Sequence, residues 1–351
     1  MTSVPRLPIW VAWVIAGGAL LAALVVGVLV GPVSISPVAV GESLLAHLPL
    51  LHLHPHVPVI DQAIVWQLRA PRVVLAALVG AMLAGGGASY QGVFRNPLAD
   101  PYLLGVAAGA GLGATIVIDA GSFSSLALPG AAFAGAVLAV AMTYSLGALG
   151  GRASEGAPGT SGRVVILAGV AVAALLTALQ TYLQQRHTQQ IQNIYDWLLG
   201  SFSAATWSDV TLVLPYIAVA VVVLSLHRRY LDVMRVGEDE AGALGVHVAR
   251  TRFVIVAAAT LGTAAAVSVS GLIGFVGIII PHLVRLLTRS SYRVILPLSM
   301  IGGAAFLVLA DVAARTVESP TELPIGVVTA FVGAPFFLLV LRSRRAQHSA
   351  L

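Results

Sequence analysis

Ten apolar runs, each close to the length of a membrane crossing, leave this chain few folds to adopt. The first, Ile9 to Val30, holds no charged residue. A helix needs about 20 such residues to cross a bilayer, with a range of about 17–25. The runs lie at 9–30, 73–92, 102–118, 126–149, 164–184, 210–226, 253–270, 272–287, 294–311 and 324–341. The uncharged stretch from 253 to 284 is too long for one ordinary helix, and Gly271 and Gly274 offer a break that divides it. The first run is too long for a signal-peptide core and lacks a small-x-small cleavage site, so it reads as a retained span. Charged residues make up 9% of the chain and hydrophobic ones 58%, against about 25% charged in a soluble globular protein. The fold expected is all-α. It is a polytopic membrane protein of about ten transmembrane helices, forming a single transmembrane domain over residues 1–351.

Arginine placement orients it. The chain has no lysine, so its 19 basic residues are all arginine. With the N-terminus inside and ten alternating crossings, 15 arginines fall on inner segments: Arg6, Arg95, Arg152, Arg163, Arg228, Arg229, Arg235, Arg250, Arg252, Arg285, Arg289, Arg293, Arg342, Arg344 and Arg345. Four fall outside: Arg69, Arg72, Arg186 and Arg315. Treating 253–284 as one span would instead strand the Arg342, Arg344 and Arg345 tail outside. An excess of arginine on the cytoplasmic side is the usual orientation signal, so both termini are expected to be cytoplasmic. No basic stripe with interleaved aromatics is present, which argues against a nucleic-acid partner. With no cysteine, disulfides and thiolate metal sites are excluded.

Residues 31–70 form a long outer segment rich in proline. Within it His52, His54 and His56 alternate, so in an extended strand they point the same way. Imidazole suits zinc, copper, nickel or iron, yet Asp61 is the only nearby carboxylate. A solvated loop is the plainer reading and a metal site the sharper one. Arg69 and Arg72 are three residues apart and share a face if their helix begins early. Arg315 stands at the outer end of the ninth run, four residues after Asp311. Arg315 either pairs with Asp311 along the helix or joins Arg69 and Arg72 in presenting guanidinium forks to a partner's carboxylates. Three arginines outside, against the inward bias, favour docking.

The longest inner segment, His227 to Arg252, contains Gly237 to Val246. Glu238, Asp239 and Glu240 suit the positive N-terminal end of a helix, and Gly245 can end it. A short helix near 238–246, outside the bilayer, is expected. It is either a solvated connector or a docking element whose Ala241, Ala243, Leu244 and Val246 are buried by a cytoplasmic partner. The proline-bracketed turn Asn96–Pro101 and the Gly/Pro/Ser-rich segment Arg152–Arg163 are placed to close the inner end of a pathway. Two small-residue stripes, Gly105-Gly109-Gly113 and Gly262-Ala266-Ser270-Gly274, allow close helix approach. Packing and the lining of a conduit both fit them.

The chain cannot hydrolyse ATP by a P-loop, since that motif needs a lysine. Energy must come from a partner or an ion gradient. An ion-coupled carrier keeps ionisable groups at mid-membrane. Here Asp209 and Asp311 lie at span ends, and His282 sits near an inner end beside Pro281, which argues against that class. An intramembrane enzyme would need paired acids, HExxH or a Ser–His arrangement, and none is visible. A structural scaffold would show no dependence on an ATPase.

Motifs in order along nearly the whole chain carry a resemblance. They are Leu68-Arg69-Ala70-Pro71-Arg72; Arg95 to Pro101 with Leu104-Gly105; Leu167-Ala168-Gly169-Val170; Gly200-Ser201-Phe202; Gly271 to Gly277 with Pro281 to Arg285; and Glu322 to Thr329 with Gly333-Ala334-Pro335. With these the chain resembles the FecCD family, permease subunits of type II ABC importers for iron-siderophores, haem and cobalamin. The resemblance implies a homodimer with its pathway on the dimer axis, lined by the fifth and tenth spans. It implies two ATPase subunits below, carrying ATP and Mg, with no cofactor on this chain. It implies a periplasmic or lipid-anchored solute-binding protein above, in a bacterial cytoplasmic (inner) membrane. By position, Arg69, Arg72 and Arg315 look like the family's docking arginines. Glu238, Asp239, Ala241, Gly242, Leu244 and Gly245 look like its coupling helix, and Asn96, Pro97, Leu98, Thr160 and Ser161 like its cytoplasmic gate. The histidine-rich outer loop and Ala70 depart from the family pattern. Iron chelates, haem included, rank above cobalamin as substrate because more of the family handles them.

Overall fold

A computed structural model describes residues 7–47, 57–121, 126–152, 160–186, 188–288 and 290–348. The described residues are almost wholly helical. At the centre stands α4 (Ala70–Val93), most of whose residues are buried. It packs against α9 (Trp207–Met234), α11 (Val248–Ser270), α12 (Val276–Thr288) and α13 (Tyr292–Thr316). A second group, α5 (Val106–Asp119), α6 (Ala127–Arg152) and α7 (Thr160–Arg186), packs on itself and meets the first through α6 and α11. α1 (Ile9–Leu29) leans on α13, while α14 (Ile325–His348) touches α12 and α13.

Among the described residues seven helices are long and apolar enough to cross a membrane: α1, the continuous Val59–Val93 helix, α6, α7, α9, α11 and α13. The apolar helices at Val106–Asp119, Val276–Thr288 and Ile325–Leu339 are shorter. At about 1.5 Å per residue, the 13 residues of α12 reach only about 20 Å, less than the roughly 30 Å hydrocarbon core. The sequence break falls where the glycines suggest. α11 stops at Ser270, Gly271 takes φ +69°, and helix resumes only at Val276.

The run 73–92 proves to be the inner part of something longer. Helix starts at α3 (Val59–Ala63), passes through a π turn over Ile64–Arg69, and continues as α4 without interruption. Pro71 accounts for the π turn. Proline lacks an N–H and its ring clashes with the carbonyl four residues back. The wider turn, in which Ala70 N–H reaches back five residues to Val65 O, makes room for it. Arg69 and Arg72 therefore sit inside a helix rather than ahead of one. Two further helices lie within segments read from sequence as loops: α2 (Pro37–Ala46), capped by Ser36, and α8 (Ile191–Leu198).

The stripe of Gly109 and Gly113 is a packing face. A Cβ at Gly109 would lie 2.2 Å from Gly135 O, and one at Gly113 would lie 2.1 Å from Ala131 O. These glycines bring α5 and α6 to backbone contact. Gly109→Val is expected to lower the thermal unfolding midpoint by an amount equivalent to about 1–3 kcal/mol or more. Gly130→Ala, which would meet open space, is the matched control and should leave the midpoint unchanged.

Candidate functional site

Aromatic residues mark one end of the bundle. His47 stacks on Trp66 at 4.2 Å, Trp66 meets Trp207 at 5.1 Å, and Trp207 Nε1 donates to Trp66 O at 2.8 Å. Tryptophan concentrates at membrane–water interfaces, so this cluster suits a bilayer edge. The three arginines singled out from sequence lie at the same end, all buried: Arg69 4%, Arg72 9% and Arg315 2% exposed. Arg69 donates to Val28 O and Leu29 O at 3.0 and 2.9 Å and also to Val33 O, while Arg315 donates to Gly27 O. The last carbonyls of a helix have no partner within it, and two guanidiniums here cap the C-terminus of α1. Arg72 bridges two carboxylates. Its Nε and Nη2 reach Asp311 at 3.0 and 2.8 Å, and its Nη1 and Nη2 reach Glu322 at 2.8 and 3.0 Å. Arg315 Nε also stands 3.5 Å from Asp311 Oδ2, the pairing along the helix that the four-residue spacing allows. The structure thus brings all three arginines together with Asp311 and Glu322. Glu322, 30% exposed at its side chain, is the open edge of the cluster.

At the opposite end α10 (Glu238–Ala243) forms within the segment 227–252, shorter than the expected 238–246. Glu238, Asp239 and Glu240 occupy its first turn. Gly245 takes φ +84° and Val246 N–H reaches back to Ala241 O at 3.1 Å, the left-handed helix stop that glycine permits. The faces are divided. Ala241 is fully buried against the chain's own core, while Leu244 (68%) is exposed. Arg252 of α11, itself buried, pairs with Glu238. Nearby, Tyr292 gathers three elements. Its N–H donates to Asp232 Oδ1 at 2.7 Å, its ring lies under Arg235, and its hydroxyl faces Arg285 Nη1 at 3.4 Å.

The turn after α4 is tight. Arg95 takes φ +49°, Asn96 Oδ1 accepts from Leu98 N at 3.0 Å, and Leu98 is exposed. Asp100 Oδ1 then accepts from Tyr102 N at 2.8 Å, and the Tyr102 hydroxyl both donates to Ile273 O and accepts from Ile273 N, each at 3.1 Å. The loop is thereby stitched to the extended stretch between α11 and α12. Thr160 and Ser161 begin α7 as backbone, but their side chains fall outside the described residues, as do His52, His54 and His56. Among the described residues no three His, Asp or Glu side chains form a metal-binding group.

Burial raises Asp100 to about 6, and the Tyr102 N–H only partly offsets it. A carboxyl raised on folding binds protons more tightly in the native state, so stability is highest below its ordinary value and declines as pH climbs through about 6. The unfolding midpoint of the wild type, compared with that of Asp100→Asn, is expected to fall between about pH 4 and pH 7. Equal slopes for the two proteins would contradict this.

Several helices carry long exposed apolar faces in the single chain, α1 and α9 among them. On α7 these include Leu167, Val170 and Leu175, and on α14 Phe331, Val332 and Leu338. α8 joins them at the tryptophan end, where a cavity of about 470 Å³ is lined by Asn193, Asp196, Trp197, Ser201, Asp209 and Ser268.

Residues 19–343 match the profile of the FecCD transport family. The chain belongs to the FecCD family. Among its relatives is the cobalamin import system permease protein BtuC of Halobacterium salinarum, 39% identical over 96% of this chain and 97% of that one. The hemin transport system permease protein HmuU of Yersinia pestis is 38% identical over 81% of this chain and 85% of that one. A solved metal-chelate type ABC transporter, in an inward-facing conformation, superposes with a TM-score of 0.78 at 30% identity, covering 93% of this chain and 97% of that chain. The matched span takes in every motif from Arg69 to Pro335.

Proposed function

We propose that this chain is the membrane permease subunit of an ATP-driven importer, moving an iron chelate (ferric siderophore or haem) from a solute-binding protein into the cytoplasm by alternating access. Membership of the FecCD family over residues 19–343 is the observation that carries it. Cobalamin is the second reading, favoured by the Halobacterium salinarum relative that aligns over 96% of the chain. The arrangement is ten spans with both termini cytoplasmic, α5, α12 and α14 supplying the shorter crossings. The working unit is a homodimer in a bacterial cytoplasmic membrane, with the apolar faces of α7 and α14 toward the dimer axis. Two partner ATPase subunits bind ATP and Mg, and this chain brings no cofactor or catalytic group.

On this reading Leu244 and the acidic first turn of α10 seat in the ATPase pair, with Asp239, Gly242 and Gly245 shaping that surface. Asn96, Pro97 and Leu98, with Thr160 and Ser161 at the head of α7, close the cytoplasmic end. The Arg69, Arg72 and Arg315 cluster receives the binding protein. Because Arg72 already holds Glu322, a carboxylate on the binding protein must compete with Glu322 for the same guanidinium. Glu322→Gln is therefore expected to tighten docking, and Arg72→Gln to weaken it, each by about 2–5-fold, the range for an ion pair open to solvent on its Glu322 side. Binding measured at two salt concentrations checks this, and tighter docking by Arg72→Gln would contradict it.

The function is tested by uptake into proteoliposomes that hold the permease with its ATPase and binding protein. Haem, a ferric siderophore and cobalamin are offered with and without ATP. ATP-dependent uptake of one of them is the expected result. Uptake that ignores ATP and follows an imposed ion gradient would replace the importer with a secondary carrier.

A further inference from the structure

α11 is tied to other elements at both of its ends. At its start, Arg252 is 5% exposed and pairs with Glu238 of α10. A buried guanidinium is costly unless a carboxylate balances it, and breaking such a pair costs far more than the pair contributes. Arg252 and Glu238 must therefore move as one. The rest of α10 is too short to hold itself in place, since its six residues bury only Ala241.

At its far end α11 runs into a backbone seam. Ser201 N–H donates to Ser270 O at 2.9 Å, Ile325 N–H to Gly200 O at 3.0 Å, and Gly326 N–H to Leu199 O at 3.0 Å. The seam thus joins the end of α11, the segment after α8 and the start of α14. There is no slack in it, because a Cβ at Gly271 would stand 2.1 Å from Trp197 O. Between these ends α11 is an unbroken helix of 23 residues without proline, about 34 Å long at 1.5 Å per residue.

We propose that Arg252 and Glu238 are positioning residues that lock α10 to α11, and that α11 acts as a push-rod carrying displacement of α10 to the seam holding α8 and α14. This rests on the importer reading above. Movement imposed at the inner face by the ATPases then reaches the seam along α11, and α4, α6 and α9, which pack on it, move with it.

The test uses the assembled permease, ATPase and binding protein in proteoliposomes and reads ligand taken up per ATP hydrolysed. Arg252 is buried and pairs with Glu238 of its own chain, so Arg252→Gln is the informative change. Uptake per ATP is expected to fall about tenfold, within the roughly 5–150-fold that couplings between distant sites span. The exchange Glu238→Arg with Arg252→Glu is expected to restore most of it. Because the chain has no cysteine, Gln192→Cys on α8 can carry a single spin label. The label-to-label distance between the two copies should shift on ATP binding in the wild-type background and shift less with Arg252→Gln. Wild-type uptake without ATP dependence would sink the importer reading itself. With that dependence intact, an unchanged uptake ratio or an unchanged label shift in Arg252→Gln would overturn the push-rod. So would loss of the ATPase subunits from the purified Arg252→Gln complex, which would make the pair a docking element.

Discussion

Asp311→Ala is expected to lower the stability of this protein by about 3–5 kcal/mol, the cost of leaving a buried ion-pair partner uncompensated. Asp311 is 1% exposed and stands between two buried guanidiniums, bonded to Arg72 and 3.5 Å from Arg315. Glu322 can hold one edge of Arg72 in its absence, but Arg315 has no second carboxylate within salt-bridge distance among the described residues. The double change Arg315→Met with Asp311→Leu should recover much of the loss, since Arg72 keeps Glu322 and apolar groups of similar volume often replace a buried pair at little cost. Thermal unfolding in detergent, followed by tryptophan fluorescence, measures both. A single-mutant midpoint equal to wild type would show that the cluster is solvated and contributes little.

Gly271→Ala is expected to be as damaging, for a different reason. Gly271 takes φ +69° and ψ −165°, a conformation essentially reserved for glycine that costs other residues about 1–3 kcal/mol. The added methyl would also meet the Trp197 carbonyl oxygen at 2.1 Å. Neither atom can yield without parting the seam, so the two penalties add. Hydrogen exchange at the amides of Ser201, Ile325 and Gly326 should speed up in Gly271→Ala. Gly274→Ala, which would meet nothing within 4 Å, should leave them protected. Equal protection in both variants would mean that the seam tolerates the displacement.

Much of the fold was legible because lipid demands a simple signal. Uncharged runs such as Ile9–Val30 and 164–184 announce helices whatever their neighbours do. The break between α11 and α12 was legible as well, since Gly271 and Gly274 interrupt an apolar stretch too long for one crossing. α2 and α8 were hidden, because each is too short to register as a span and lies within a connecting segment. In α8 the signal was present in Ile191, Ile194 and Leu198, spaced along one helical face. The π turn was hidden too, since the apolar run was read from residue 73 and Pro71, the cause of the bulge, lay ahead of it.

The site divides in the same way. The stop at Gly245 and the acidic first turn of α10 follow from local rules, and both are present. The bonds of Arg69 to the α1 carbonyls, and of Arg72 to Glu322 across 250 positions, are long-range facts. No spacing rule encodes them. Ala241 looked available to a partner because it sits among exposed residues. The helix turns it inward.

The extended stretch from Gly271 to Phe275 also bears on how this protein is made. An irregular backbone at membrane depth survives only where protein shields its polar groups from lipid. Here Ile273 is served on both its N–H and its carbonyl by the hydroxyl of Tyr102, and Ser270 O by the N–H of Ser201. Both partners come from earlier in the chain. Those bonds close only when the earlier segments carrying Tyr102 and Ser201 are in place, while Leu199 O and Gly200 O are served in turn by Gly326 and Ile325 of the later half, so the two halves must fold together.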